Sequence, residues 1–149
     1  MNETLGYVMA FLLAATPFFE MVAVIPLGVI SGLELVSVTV VAFLGNLLTV
    51  LIVVIMMTQI KAWLQKRREA KGKDVSSKRQ NRAKRIWQRY GLFGLCFIGP
   101  ILIGSHLAVI MGMTFGGTKK QMSIFMTGSL FLWAIVTAVA THMGVEWFF

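Results

Sequence analysis

The sequence predicts an all-α integral membrane protein: an inverted repeat of two re-entrant helical hairpins, each followed by a transmembrane helix. Three observations lead there. First, the 149-residue chain is 57% hydrophobic and only 13% charged, whereas a soluble domain carries about 25% charged residues to cover its surface. A mean hydropathy of +0.78 also excludes a disordered chain. Second, residues 35–57 and 122–143 are unbroken apolar runs, each reaching the roughly 20 residues that cross a bilayer core. Third, two further apolar stretches are interrupted by Pro and Gly and carry the deep ionisable residues, so the order reads broken, span, loop, broken, span.

One membrane domain covers residues 1–149, with a first repeat at 5–57, a basic helical loop at 58–89 and a second repeat at 90–143. Residues 5–32 are broken by Pro17 and Pro26 and contain Glu20. Residues 90–117 are interrupted by Gly91, Gly94, Gly99, Pro100 and Gly104 and contain His106. Val29-Ile30-Ser31-Gly32-Leu33 resembles Val109-Ile110-Met111-Gly112-Met113 at an offset of 80. Gly45-Asn46-Leu47-Leu48 resembles Gly128-Ser129-Leu130-Phe131 at an offset of 83, which pairs Asn46 with Ser129. Gly28-x-x-x-Gly32 and Gly112-x-x-x-Gly116 permit close helix approach.

The net charge of +8 is segregated: twelve of the 14 Lys/Arg lie between Lys61 and Arg89, and the others are Lys119 and Lys120. Basic residues beside spans mark the cytoplasmic face, which places the loop inside at the cell's inner (plasma) membrane. No base-reading module is present, so nucleic acid is not the expected partner. Four full spans would put Lys119 and Lys120 outside and both termini inside. Two re-entrant hairpins instead keep every cation inside, with both termini outside and Glu3, Glu34 and Glu146 external. Hairpin arms of about 10–13 residues rise only about 15–20 Å, so their tips stop near the midplane. Such an arrangement is known in secondary transporters. The start of the chain has no positively charged region, so no cleaved signal peptide is expected.

Within the loop, a helix is expected from Lys61 to Lys71, ending at Gly72, and a second one capped by Ser76 or Ser77. Lys78, Arg82, Arg85 and Arg89 then share one cationic face for anionic lipid headgroups, while Ile86, Trp87 and Tyr90 anchor near those headgroups. Trp147-Phe148-Phe149 reads as an aromatic anchor at the interface.

Glu20 is the most informative residue. A carboxylate in hydrocarbon costs at least about 2.5–3.5 kcal/mol, so it faces a polar cavity, finds a partner, is protonated or caps free amides at a hairpin tip. Pro17 and Pro26 are expected to break the first hairpin, and Gly99 and Pro100 the second. His106, beside Ser105, carries an imidazole able to take up or release a proton and is the candidate partner of Glu20 in proton exchange. Asn46 and Ser129, deep in the two spans, either line a site or bind helices together. Catalytic residues, metal sites and cofactors are not expected: there is no paired acid, His cluster or phosphate loop, and the lone Cys96 forms no disulfide.

Pro17-Phe18-Phe19-Glu20 with Ile25-Pro26-Leu27-Gly28, then Gly45-Asn46 and Tyr90-Gly91-Leu92-Phe93-Gly94-Leu95 after a basic loop, resemble the small multidrug-export membrane family, related to the DedA/VTT superfamily. The resemblance runs over residues 15–135. It implies re-entrant hairpins in inverted repeat and export or lipid-carrier transport. The family's Arg-Gly after the glutamate is replaced here by Met21-Val22-Ala23, and its second-hairpin proline–glycine–threonine pattern by Gly99-Pro100 and Ser105-His106. His106 is therefore the candidate compensating cation. The resulting expectation is a DedA-like secondary transporter, a homodimer without enzymatic activity, exporting a small amphipathic substrate with proton coupling. A lipid-phosphate flippase or scramblase (polyprenyl-phosphate or phospholipid) and a non-transporting scaffold are the alternatives.

Overall fold

A computed structural model describes residues 2–17, 19–71 and 78–148. Among these the chain is helical: α1 (Glu3–Ala14), α2 (Glu20–Ile30), α3 (Leu35–Ile55), α4 (Met57–Lys71), α5 (Lys78–Leu102), α6 (Ser105–Thr114) and α7 (Lys119–Phe148). Two helices, α3 and the stretch Lys119–Val145 of α7, are long and apolar enough to cross a bilayer. Only 33% and 28% of their most apolar windows are buried. Faces such as Val36, Ile55, Ile124 and Phe131 stay open, as suits helices dissolved in lipid and not a soluble core. The expected helix ends at Gly72 and caps at Ser76 or Ser77 lie outside the described residues, as does Phe149 of the expected aromatic anchor.

Contacts divide the chain into two compact units, residues 1–49 with 127–149, and residues 50–126. In the first, α1 and α2 form an antiparallel hairpin. Thr16 stands before Pro17, a position that disfavours helix, and its hydroxyl bonds back to the Leu13 carbonyl at 2.7 Å, so α1 stops at Ala14. At the open end, Gly6 lies against the Leu33 side chain, and the Glu34 amide donates to Tyr7 Oη at 3.2 Å. Further along, a methyl group on Gly45 would run into the Phe11 carbonyl. The first arm thus reaches the middle of α3 one turn before it ends. α3 and α7 run antiparallel, with Phe43 edge-on to Phe131 at 6.1 Å.

In the second unit α5 is two helices, because Gly91 (φ 65°, ψ −157°) breaks it; this conformation is open to glycine alone. Residues 92–102 pair with α6 as a second hairpin, and residues 78–90 lie along it. Ala83 and Ile86 join Leu95, Ile103 and Ala108 in one buried cluster, covered by Trp87, Leu107, Met111 and Phe115. The apolar side of the basic helix is therefore turned into the hairpin. Of the expected headgroup anchors only Tyr90 stays exposed, since burying Ile86 and Trp87 against apolar neighbours is the more favourable placement. Two lysines close helix C-termini, where unpaired carbonyls and the negative end of the dipole gather. Lys61 Nζ donates to the Met113 carbonyl at the end of α6 (2.8 Å), and Lys119 Nζ to the Ile55 carbonyl at the end of α3 (3.1 Å).

Two expected breaks need correction. Pro26 lies inside α2, not at its end. Its ring forfeits a single backbone bond, and burial of Met21, Val24, Ile25 and Gly28 on one face carries the helix past it. Gly99 and Pro100 likewise remain helical, within α5. The second hairpin turns at Ile103-Gly104, where both amides bond to the Gly99 carbonyl (2.8 and 3.1 Å) and Gly104 takes φ 96°.

The internal register also differs from the sequence reading. Left-handed residues fall at Glu20 (φ 45°) and Gly104 (φ 96°), and at Gly32 (φ 90°) and Gly116 (φ 117°), each pair 84 residues apart. The same spacing relates Leu33 N–H bonded to the Gly28 carbonyl and Gly117 N–H bonded to the Gly112 carbonyl, one helix-ending motif used twice. It also relates the starts of α3 and α7. The offset is therefore 84, not 80 or 83, and Ser129 corresponds to Gly45, not to Asn46. The two Gly-x-x-x-Gly pairs serve inside the chain: Gly28 packs on Val38 and Gly112 on Met122, while Gly32 and Gly116 supply the turns.

Both long helices begin with a cap. Thr118 and Gln121 exchange hydrogen bonds, Gln121 N–H to Thr118 Oγ1 and Thr118 N–H to Gln121 Oε1, each 3.2 Å, which is a capping box. Ahead of α3, Glu34 accepts the amides of Val36 (2.9 Å) and Ser37 (2.7 Å). The Ser37 hydroxyl and amide, then the Val36 amide, hold its carboxyl below its ordinary value. A depressed folded pKa makes the cap fully stabilising above the unfolded value of about 4.3 and lost as pH falls through the lower folded value. Thermal melts in detergent are expected to show an acid-side loss of stability below pH about 4.3. Glu34→Gln flattens the Glu34 contribution to that loss.

Candidate functional site

Glu20 opens α2 with its side chain in the protein and only 8% of the residue exposed. Its carboxyl group is at a helix N-terminus, the end that favours negative charge. Its backbone is the single left-handed one among the described non-glycine residues. Such a conformation costs an L-residue about 1–2 kcal/mol, and the matching turn of the second hairpin avoids the cost with Gly104. A residue kept buried, ionisable and strained where glycine serves elsewhere in the same chain is the candidate functional position.

Asn46 and Ser129 also belong to the first unit, and both are fully buried. The antiparallel ring contact of Phe43 with Phe131 puts them at about the same height, since Asn46 lies three residues on from Phe43 and Ser129 two residues back from Phe131. Ser129 Oγ makes no hydrogen bond among the described residues, so this level holds a buried hydroxyl able to donate to or accept from a ligand. Further along α7, Thr137 and Thr141 are buried, and the Thr141 hydroxyl is committed to the Thr137 carbonyl at 2.7 Å.

Ser105 and His106 lie in the second unit, in the first turn of α6 immediately after the Gly104 turn, both buried. Ser105 Oγ is 3.3 Å from His106 Nδ1, which fixes the ring beside a hydroxyl at the hairpin tip. Glu20 and His106 thus occupy corresponding tips of two hairpins, in different units. Pro17 lies in the turn between α1 and α2. Lys78, Arg82, Arg85 and Arg89 are exposed along one side of residues 78–90. His142 is exposed. Cys96 is buried, with its thiol 3.9 Å from Met122 Sδ, a packing role. No group of three metal-binding side chains occurs among the described residues.

The sequence reading missed Tyr7, Glu34, Lys61 and Lys119 as residues that hold hairpin ends in place. The Thr118-x-x-Gln121 spacing was a readable signal for one cap. The lysine caps had none, because they join residues 52 and 64 positions apart.

Residues 20–136 match the family described as "putative small multi-drug export protein". The chain belongs to this family. The match begins at Glu20 and takes in both hairpin tips' second arms, the basic helices and most of α7. No curated protein and no solved structure matches the chain.

Proposed function

We propose that this family member is a proton-coupled exporter of a small amphipathic substrate, working in the cell's inner membrane. Its two hairpins enter and leave the bilayer on the same side, as in the DedA/VTT superfamily. Transport, not catalysis, is the chemistry of the site. Glu20 carries the reading: a buried, strained carboxyl at a hairpin tip is poised to exchange a proton, and His106 at the other tip is the second titrating group.

Several dimensions support the layout. Arms of 12, 11 and 10 residues rise about 15–18 Å, half of the roughly 30 Å hydrocarbon core. The first arm meets α3 at Gly45, the midpoint of that span. The hydrogen bonds of Lys61 to Met113 and of Lys119 to Ile55 bring the end of the second hairpin and the start of α7 to the end of α3. In a four-span layout those groups would stand a bilayer thickness apart. With the basic loop cytoplasmic, both chain ends are then external. Asn46 and Ser129 line the substrate path in the first unit. A pathway this small is completed by a second copy, so the working unit is a homodimer.

In proteoliposomes, a pH gradient is expected to drive loss of a fluorescent amphipathic dye through the wild-type protein. Glu20→Gln, which keeps the shape but cannot ionise, is expected to reduce the gradient-dependent rate to the protein-free level. Gradient-driven flux at the wild-type rate in Glu20→Gln contradicts the reading.

A further inference from the structure

Residues 78–90 hold six cations and no acid. Because Ala83, Ile86 and Trp87 are already packed on the second hairpin, this helix cannot lie on a bilayer by its apolar side. What it presents outward is charge: Lys78, Arg82, Lys84, Arg85 and Arg89 are all exposed. Glu69, an exposed acid on α4, is hydrogen-bonded by Gln65 Nε2 at 3.3 Å. Two exposed aromatic rings carry guanidinium groups, Arg89 over Tyr90 at 5.6 Å and Arg67 over Trp63 at 5.0 Å. Rings paired with cations are the side chains that settle at headgroup level.

We propose that Arg82, Arg85 and Arg89, with the Arg89–Tyr90 pair, form a docking surface for anionic phospholipid headgroups. Occupation of that surface clamps the second hairpin through Ala83 and Ile86. The proposal rests on the membrane reading above but not on export. Charge complementarity selects the partner. Position narrows it to lipid: Gly91 leads directly from this helix into the second hairpin, so the face is tethered beside that apolar hairpin.

The test uses the purified full-length protein, with native mass spectrometry of retained lipid and thermal melts in neutral detergent titrated with phosphatidylglycerol or phosphatidylcholine. Wild type is expected to retain phosphatidylglycerol preferentially and to melt higher as it is added, less so at high salt. Each neutralised charge is expected to weaken the preference about fivefold, so the triple variant Arg82→Gln, Arg85→Gln, Arg89→Gln loses about a hundredfold. That variant should melt as wild type does in phosphatidylcholine, because all three side chains are exposed. Lys120→Gln, an exposed cation outside the face, should leave the preference unchanged. Equal retention of both lipids by wild type, an unchanged preference in the triple variant, or binding of soluble polyglutamate without any lipid preference overturns the proposal. Export activity enters none of these readouts.

Discussion

Glu20→Gly is expected to give a protein at least as stable as wild type and unable to export. The wild-type residue sits at φ 45°, which costs about 1–2 kcal/mol that glycine does not incur. Glycine loses more chain entropy, about 0.5–1 kcal/mol, so the net change is a gain of about 0–1.5 kcal/mol from the backbone. The same substitution deletes the proposed proton carrier. A purely structural Glu20, capping the free amides of α2, predicts the opposite pair of results: lower melting temperature with flux proportional to folded protein. Thermal melts and gradient-driven flux on the same preparation separate the two. Glu20→Gln in parallel keeps the strain and loses the function, so only the glycine variant should gain stability.

The second large effect is at Gly45, where the first hairpin leans on α3. A methyl group there would meet the Phe11 carbonyl, and a backbone atom cannot swing aside as a side-chain tip can. Overpacking of this kind costs about 1–3 kcal/mol, so Gly45→Ala is expected to fall in that range and Gly45→Val beyond it. Either substitution pushes α1 off α3, and export should drop sharply although Glu20 is untouched. Gly128 is the control. Nothing approaches its Cβ direction, so Gly128→Ala is expected to be neutral or to stabilise by up to about 1 kcal/mol through helix propensity. Melting temperatures of the two alanine variants check this. They also check the internal register, since the 83-residue alignment equates Gly45 with Gly128 and the 84-residue one does not.

Much of this architecture was written in hydropathy. The run at 35–57 became α3 and the first residue of α4, the interruption near Pro17 became a turn, and the basic loop became two helices around residues outside the described set. Composition could not reveal backbone conformation. Glu20 looked important because it is an acid in an apolar segment, but its left-handed backbone appears only in three dimensions. Pro26 and Pro100 were read as breakers because proline disfavours helix interiors in water. Both remain helical, in arms whose ends are set by Gly32 and Gly104. The repeat was misaligned because Val, Ile and Gly matches are frequent in apolar sequence, whereas turns repeat where the chain must reverse. The fold-back of residues 78–90 needs the cluster of Ile86 with Leu95 and Ala108, a long-range contact that no local pattern encodes. Asn46 and Ser129 are both buried, at about the same level on antiparallel helices, whereas an 84-residue spacing does not pair them.

Sidedness is the most direct test of the whole account. In a Cys96→Ser background, single cysteines at Lys120, Arg82 and Glu3 are labelled by a membrane-impermeant maleimide in intact cells and in inverted vesicles. The account predicts that Lys120→Cys labels with Arg82→Cys from the cytoplasmic face and that Glu3→Cys labels from outside. Labelling of Lys120→Cys from outside, opposite to Arg82→Cys, would mean that the second apolar segment crosses the bilayer completely, and the proposed re-entrant layout would fail.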